Sequence, residues 1–125
     1  ALGPGMMRHA ARFADGWNTM SFSPDFDEQI RELVERAERM DDLCVEAERD
    51  PSTLRRSVNL FDAEARAAGG RLRYYDDDEL LVRLVTTLQH AGYSDIGLYY
   101  PTDEGQLGAF ERIARDILPS LATAQ

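Results

Sequence analysis

The feature that most constrains this chain is an alternation of amphipathic helical segments with short β-prone runs, repeating every ~40 residues. The β-prone runs begin at Trp17, Ser57 and Asp95. Ahead of the first, Met6 to Ala14 reads as a helix with Met7, Ala10, Ala11 and Ala14 on one face, and Gly16 reads as its left-handed stop. Trp17 to Met20 is the first strand. Ser23-Pro24-Asp25, with Glu28 three residues after Asp25, then announces a helix amino terminus. The helix that follows carries Ile30, Leu33, Val34, Ala37, Met40, Leu43, Cys44 and Ala47 as one apolar stripe, and Asp50-Pro51 ends it.

Ser57 to Phe61 is the second strand, and the Ala/Gly/Arg-rich stretch 62–75 is a long loop or a loop with a short helix. The acidic run Asp76-Asp77-Asp78-Glu79 suits a helix amino terminus, where the dipole favours negative charge. Metal binding by the run has no support from EF-hand glycine spacing or a nearby histidine. Leu80, Leu81, Leu84, Val85 and Leu88 continue that helix to a stop at Gly92. Asp95 to Tyr100 is the third strand. After Pro101 a last helix turns Leu107, Phe110, Ile113, Ala114 and Ile117 inward, and Pro119 ends it.

Strands separated by amphipathic helices imply an α/β fold with parallel pairing. A doubly wound sheet and a (β/α)8 barrel both fit, and a barrel needs ~250 residues, so this chain of 125 residues would supply about three of its eight units. The Gly3-Pro4-Gly5 loop leads into a helix with no strand ahead of it, so a missing amino-terminal portion is the expectation.

Composition narrows the function classes. Apolar residues at 43% and charged residues at 30% belong to a globular domain, taken here as the single unit 1–125. No apolar run reaches the roughly 18 residues of a membrane-spanning helix, and no basic segment precedes an apolar one as in a signal peptide. The lone cysteine, Cys44, cannot form an internal disulfide, which points to a reducing cytoplasm. A net charge of −9 argues against a nucleic-acid partner, yet a small phosphorylated cofactor can still be held by backbone N–H groups at one loop. All 14 basic residues are arginine, a bias attributable to a GC-rich genome.

The stretch from Gly3 to Asn18, and above all Ala14-Asp15-Gly16-Trp17-Asn18, is similar to a segment of the luciferase-like monooxygenases and their deazaflavin-dependent relatives. There a glycine-rich strand end leads into a helix closing on Ala-Asp-Gly-Trp-Asn. Glu48-Arg49-Asp50-Pro51-Ser52 resembles the family's Gly-Arg-Asp-Pro turn, Ala91 to Ile96 its Ala-Gly-Val-Asp-His segment, and Ile117-Leu118-Pro119 its closing helix. The resemblance implies strands six to eight of a (β/α)8 barrel, the carboxyl-terminal portion of an oxidoreductase or monooxygenase. It also implies FMN or the 8-hydroxy-5-deazaflavin coenzyme as cofactor and a small organic molecule as substrate. The cofactor phosphate would sit between two loops, here Gly3-Pro4-Gly5 and Asn18-Thr19-Met20-Ser21, with Gly3, Pro4, Gly5, Asn18 and Thr19 as binding residues. Helix N–H groups and glycine-permitted close approach are the physical basis for such a site.

The remaining candidates have plainer expectations. Trp17 and Cys44 read as core, and His9 and His90 as surface residues without a ligand partner at helical spacing. Asn59, Phe61, Tyr99 and Tyr100 fall at strand ends where they could line a substrate pocket, although half of them must face the helices. No catalytic triad, nucleophilic cysteine or metal cluster is visible, so catalysis by this chain alone is not expected. A barrel arc would expose its edges and an inner face built from Val58, Leu60 and Leu98, which predicts a homo-oligomer, in the simplest case a dimer. The alternative function is a non-catalytic, self-associating interaction domain made of the same βα units.

Overall fold

The computed structural model describes residues 3–21, 25–60, 78–98 and 104–123. Its elements are helix α1 (Pro4–Phe13), strand β1 (Gly16–Thr19), helix α2 (Phe26–Glu46), a 3-10 turn (Pro51–Thr53) and strand β2 (Arg55–Asn59). Helix α3 (Asp78–His90), strand β3 (Asp95–Gly97), helix α4 (Glu104–Arg112), a π turn (Ile113–Ile117) and helix α5 (Leu118–Thr123) follow. The three strands are parallel and lie side by side in chain order, β1-β2-β3, with Asn18 level with Ser57 and Ser57 level with Asp95. The parallel α/β arrangement expected from the alternation is therefore present.

Period-two geometry divides the sheet cleanly. Trp17, Thr19, Arg56 and Val58 are buried on one face, beneath the helices, while Gly16, Asn18, Arg55, Asn59 and Gly97 are exposed on the other. The buried face meets the apolar stripes of α1 (Met7, Ala10, Ala11), α2 (Leu33, Ala37, Met40, Leu43, Cys44) and α3 (Leu81, Leu84, Val85, Leu88) in one cluster. Tyr93 lies at its centre: its ring stacks on Trp17 at 6.4 Å and its hydroxyl donates to the Leu33 carbonyl at 2.7 Å. Burial pushes its phenol well above the ordinary range. Cys44 is fully buried, and desolvation raises its thiol despite the nearby Arg56 and Arg49.

Two expectations about this face are overturned. Val58 and Leu60 are 0% and 1% exposed, so they belong to the core and not to an open inner face. The second strand begins two residues before Ser57 because Arg55 and Arg56 pair in register with Gly16 and Trp17. Arginine does not read as strand, yet Arg56 here buries its stem and finds partners for its head.

Helix ends also differ from expectation. Gly16 is not a left-handed stop; it is the first residue of β1, and α1 closes through an extended Ala14. The carbonyls left over at that end are met by Arg49, whose Nη1 donates to Ala14 O at 2.6 Å and Ala11 O at 3.3 Å. Pro119 does not end the last helix. The π turn before it bonds Leu118 N–H to Ile113 O, five residues back, and this wider turn leaves room for a proline ring where an α-helical turn would clash.

Helices α2 and α3 close by the same device. Arg49 N–H returns to Cys44 O and Glu48 N–H to Val45 O; Tyr93 N–H returns to Leu88 O and Gly92 N–H to Gln89 O. Each is a Schellman end that needs one left-handed residue. Gly92 supplies it at φ 107°, but in α2 the residue is Glu48 at φ 58°. A side chain in that region costs about 1 kcal/mol. Glu48→Gly is therefore expected to raise stability by roughly 1 kcal/mol, read as a shift of the urea midpoint at unchanged slope; a lowered midpoint would contradict the assignment.

Candidate functional site

The carboxyl ends of parallel strands are where α/β proteins place ligands. Here those ends carry Asn18 and Thr19 from β1, Asn59 from β2 and Gly97 from β3. Asn18 Nδ2 donates to Ser57 Oγ at 2.8 Å across the open face. The Asn59 carboxamide lies directly on Gly97, where an added Cβ would stand 2.6 Å from its oxygen, so a side chain there would push the carboxamide aside. At the other end of the face Arg55 grips Asp95 with two hydrogen bonds of 2.6 and 2.9 Å. Asn18, Ser57, Asn59 and Asp95 border a cleft of about 510 Å³ that Leu98, Leu118 and Leu121 also line.

The five residues expected at a cofactor phosphate do not gather in one place. Gly3 is the N-cap of α1, Pro4 its first residue, and Gly5 follows in the first turn. Among the described residues no side chain caps this helix end, and a Cβ at Gly3 or Gly5 would meet nothing within 4 Å. Helix α2, by contrast, is capped by Asp25, which accepts from Glu28 N–H at 2.8 Å. Asn18 faces the open side of the sheet and borders the cleft, whereas Gly5 borders a different groove between α1 and α2.

Thr19 turns the opposite way and is 1% exposed. Its hydroxyl accepts from Arg36 of α2 at 3.4 Å, and the same guanidinium donates to the Met20 carbonyl. Ser21 is equally buried and donates to Glu32, the ion-pair partner of Arg36 at 3.8 Å. The loop after β1 is thus fastened to the second and third turns of α2. Neighbouring strand residues face opposite sides, so the Thr19 and Asn18 side chains point away from each other.

Sequence reasoning passed over the arginines that organise this region. Arg36 lies off the apolar stripe of α2, Arg49 falls in the turn after it, and Arg56 stands ahead of the expected second strand. The available signal was spacing: Glu32 and Arg36 stand at i and i+4, one turn apart on α2. Arg56 is 4% exposed at its side chain and donates to Ala37 O at 3.1 Å and Asp41 at 2.5 Å.

His9 and His90 are exposed on α1 and at the end of α3, and the His9 ring lies 5.0 Å from Phe13. Phe61, Tyr99, Tyr100, Asp76 and Asp77 lie outside the described residues. Among the described residues no group of three His, Cys, Asp or Glu side chains could hold a metal ion, and no helix is long and apolar enough to cross a membrane. Comparison with protein-family models, curated proteins and solved structures returns no match.

Two outcomes follow from the charged pairs. Removing Asp41 strands a buried cation, so Asp41→Asn should lower stability by about 1–3 kcal/mol, measured by urea unfolding. The hydrogen bond from Arg55 holds the Asp95 carboxyl below its ordinary value. A depressed carboxylate stabilises the fold above the unfolded-state value of about 3.9, and the contribution disappears as pH falls through the lower folded value. Asp95→Asn should therefore flatten the stability profile below about pH 4; an unchanged acid slope would remove the pair from the account.

Proposed function

We propose that these βα units are an arc of a luciferase-like (β/α)8 barrel, the carboxyl-terminal part of an oxidoreductase that uses FMN or the 8-hydroxy-5-deazaflavin coenzyme on a small organic substrate. Support comes first from the layering: parallel strands in chain order, α1, α2 and α3 on one face, and a polar second face as a barrel lumen would need. The resemblance through Ala14-Asp15-Gly16-Trp17-Asn18 spans the α1–β1 junction, where Trp17 is a core residue and Asn18 an open-face one.

The single observation that carries the cofactor reading is the uncapped, glycine-flanked amino end of α1. Its first-turn N–H groups, at Gly5 and Met6, have the polarity a phosphate needs, and Pro4 donates none. Glycine at both positions keeps that approach unobstructed. The Asn18 side chain faces the open side, so its carboxamide would meet the ring or the substrate and not the phosphate. Thr19 and Ser21 act indirectly: their hydroxyls keep the loop pressed to α2 and leave Asn18 facing outward. The bound coenzyme would supply hydride or oxygen chemistry; the chain's own residues hold and orient it.

Titrating the 15N-labelled chain with FMN, and separately with the deazaflavin coenzyme, is the direct experiment. Amide shifts centred on Gly5 and Met6 are expected with one of them, and Gly5→Phe should weaken the response at least tenfold, on the order of 1.4 kcal/mol. Shifts absent from these amides, or equal in the variant, would overturn the phosphate assignment.

A further inference from the structure

We propose that the groove between α1 and the carboxyl end of α2 is an interface at which a second copy of this chain docks across a twofold axis. The groove has a volume of about 600 Å³ and lies among the outer helices, away from the open sheet face. Gly5, whose N–H the cofactor reading assigns to a phosphate, borders the same groove; docking rests on other residues and is read by association, not by amide shifts.

Three observations lead to a second copy. The first is apolar exposure. Among the described residues the large hydrophobic side chains most open to water are Met6, Phe13 and Val45, at 57%, 70% and 67%. Met6 and Phe13 are seven residues apart on α1, hence on one stripe, with His9 between them. The His9 ring lies against Phe13, and the Arg12 guanidinium sits 5.7 Å from the same ring. A short helix thus presents an aromatic and its neighbours to solvent with nothing described upon them.

The second observation is the sign of the charge. The chain carries −9 overall, yet α1 contains Arg8, Arg12 and His9 and no acidic residue. A basic helix on an acidic protein fits an acidic partner, and the same acidity repels nucleic acid and anionic lipid. The third observation identifies that partner. The groove wall opposite Arg8 and Arg12 carries Leu43 and Glu46 from the end of α2 and Glu48 from the turn after it, with Glu46 also 4.0 Å from Arg39. Among the described residues Arg8, Arg12 and Glu48 form no ion pair, and Glu48 is held at φ 58°, where glycine would cost less. A surface with a basic wall, an acidic wall and an exposed aromatic is complementary to itself when rotated by two-fold symmetry: the arginines of one copy meet the glutamates of the other, and the reverse contact repeats it. Phe13 of each copy then leaves water at the base of the other's groove.

Sedimentation velocity on the intact chain across a range of concentrations tests this, with charge reversal as the discriminating step. The chain itself is expected to dimerise, with the dimer weakened by salt. Arg12→Glu and Glu48→Arg should each weaken association at least tenfold, and the double variant should restore it. Both positions are on the surface, and circular dichroism with urea unfolding establishes that each variant is folded. A chain that stays monomeric at high concentration would overturn the proposal. So would a dimer indifferent to the single reversals, or a double variant no better than either single one.

Discussion

The fold turns on a buried arginine. Arg56 stands in the middle strand and on its covered face, at the level of Trp17, with its guanidinium almost wholly removed from water. A cation there is tolerable only with partners, and α2 provides them: the Ala37 carbonyl and the Asp41 carboxylate. The backbone carbonyl of the same residue accepts from Ser94 N–H, which starts β3 alongside β2. One residue therefore links the middle strand to the long helix and to the last strand. Because the buried guanidinium needs both partners in place, it fixes where α2 lies over the sheet, although Asp41 itself is half-exposed.

Arg49 does for α1 what Arg56 does for α2. Its guanidinium reaches back to the end of α1 and forward to Thr53, so the turn after α2, the 3-10 segment and the helix ahead of β1 are held as one unit. Positive charge at a helix carboxyl end is favoured by the dipole as well as by the hydrogen bonds. The consequence is that α1, α2 and α3 are drawn to one side of the sheet. What remains on the other side is polar: Asn18, Arg55, Ser57, Asn59 and Asp95.

Much of this was legible in the sequence. The apolar stripe of α2 named its buried residues because a 3.6-residue period admits little ambiguity over 21 residues. Gly92 announced a left-handed end correctly. The strands were placed less well, since three to five residues give almost no period to read, and Arg55-Arg56 contradicts every strand preference. Glu48 and Gly16 mislead in opposite directions: the left-handed residue is the one that is not glycine, and the glycine is extended. Thr19 reads as a loop donor beside Asn18, whereas strand parity turns its side chain to the covered face. The Pro119 error has a related origin, because a proline reads as a stop unless a π turn, invisible to propensity, precedes it.

The central claim is the two-sidedness of the sheet, and cysteine labelling measures it most directly. With Cys44 buried, single substitutions at Asn18, Thr19, Ser57 and Val58 report which way each strand residue points. The account predicts that Asn18→Cys and Ser57→Cys react with a small thiol reagent at rates near those of an exposed cysteine. Thr19→Cys, Val58→Cys and native Cys44 should stay protected until urea unfolds the chain. Equal reactivity of Asn18→Cys and Thr19→Cys, or protection of both, would contradict it.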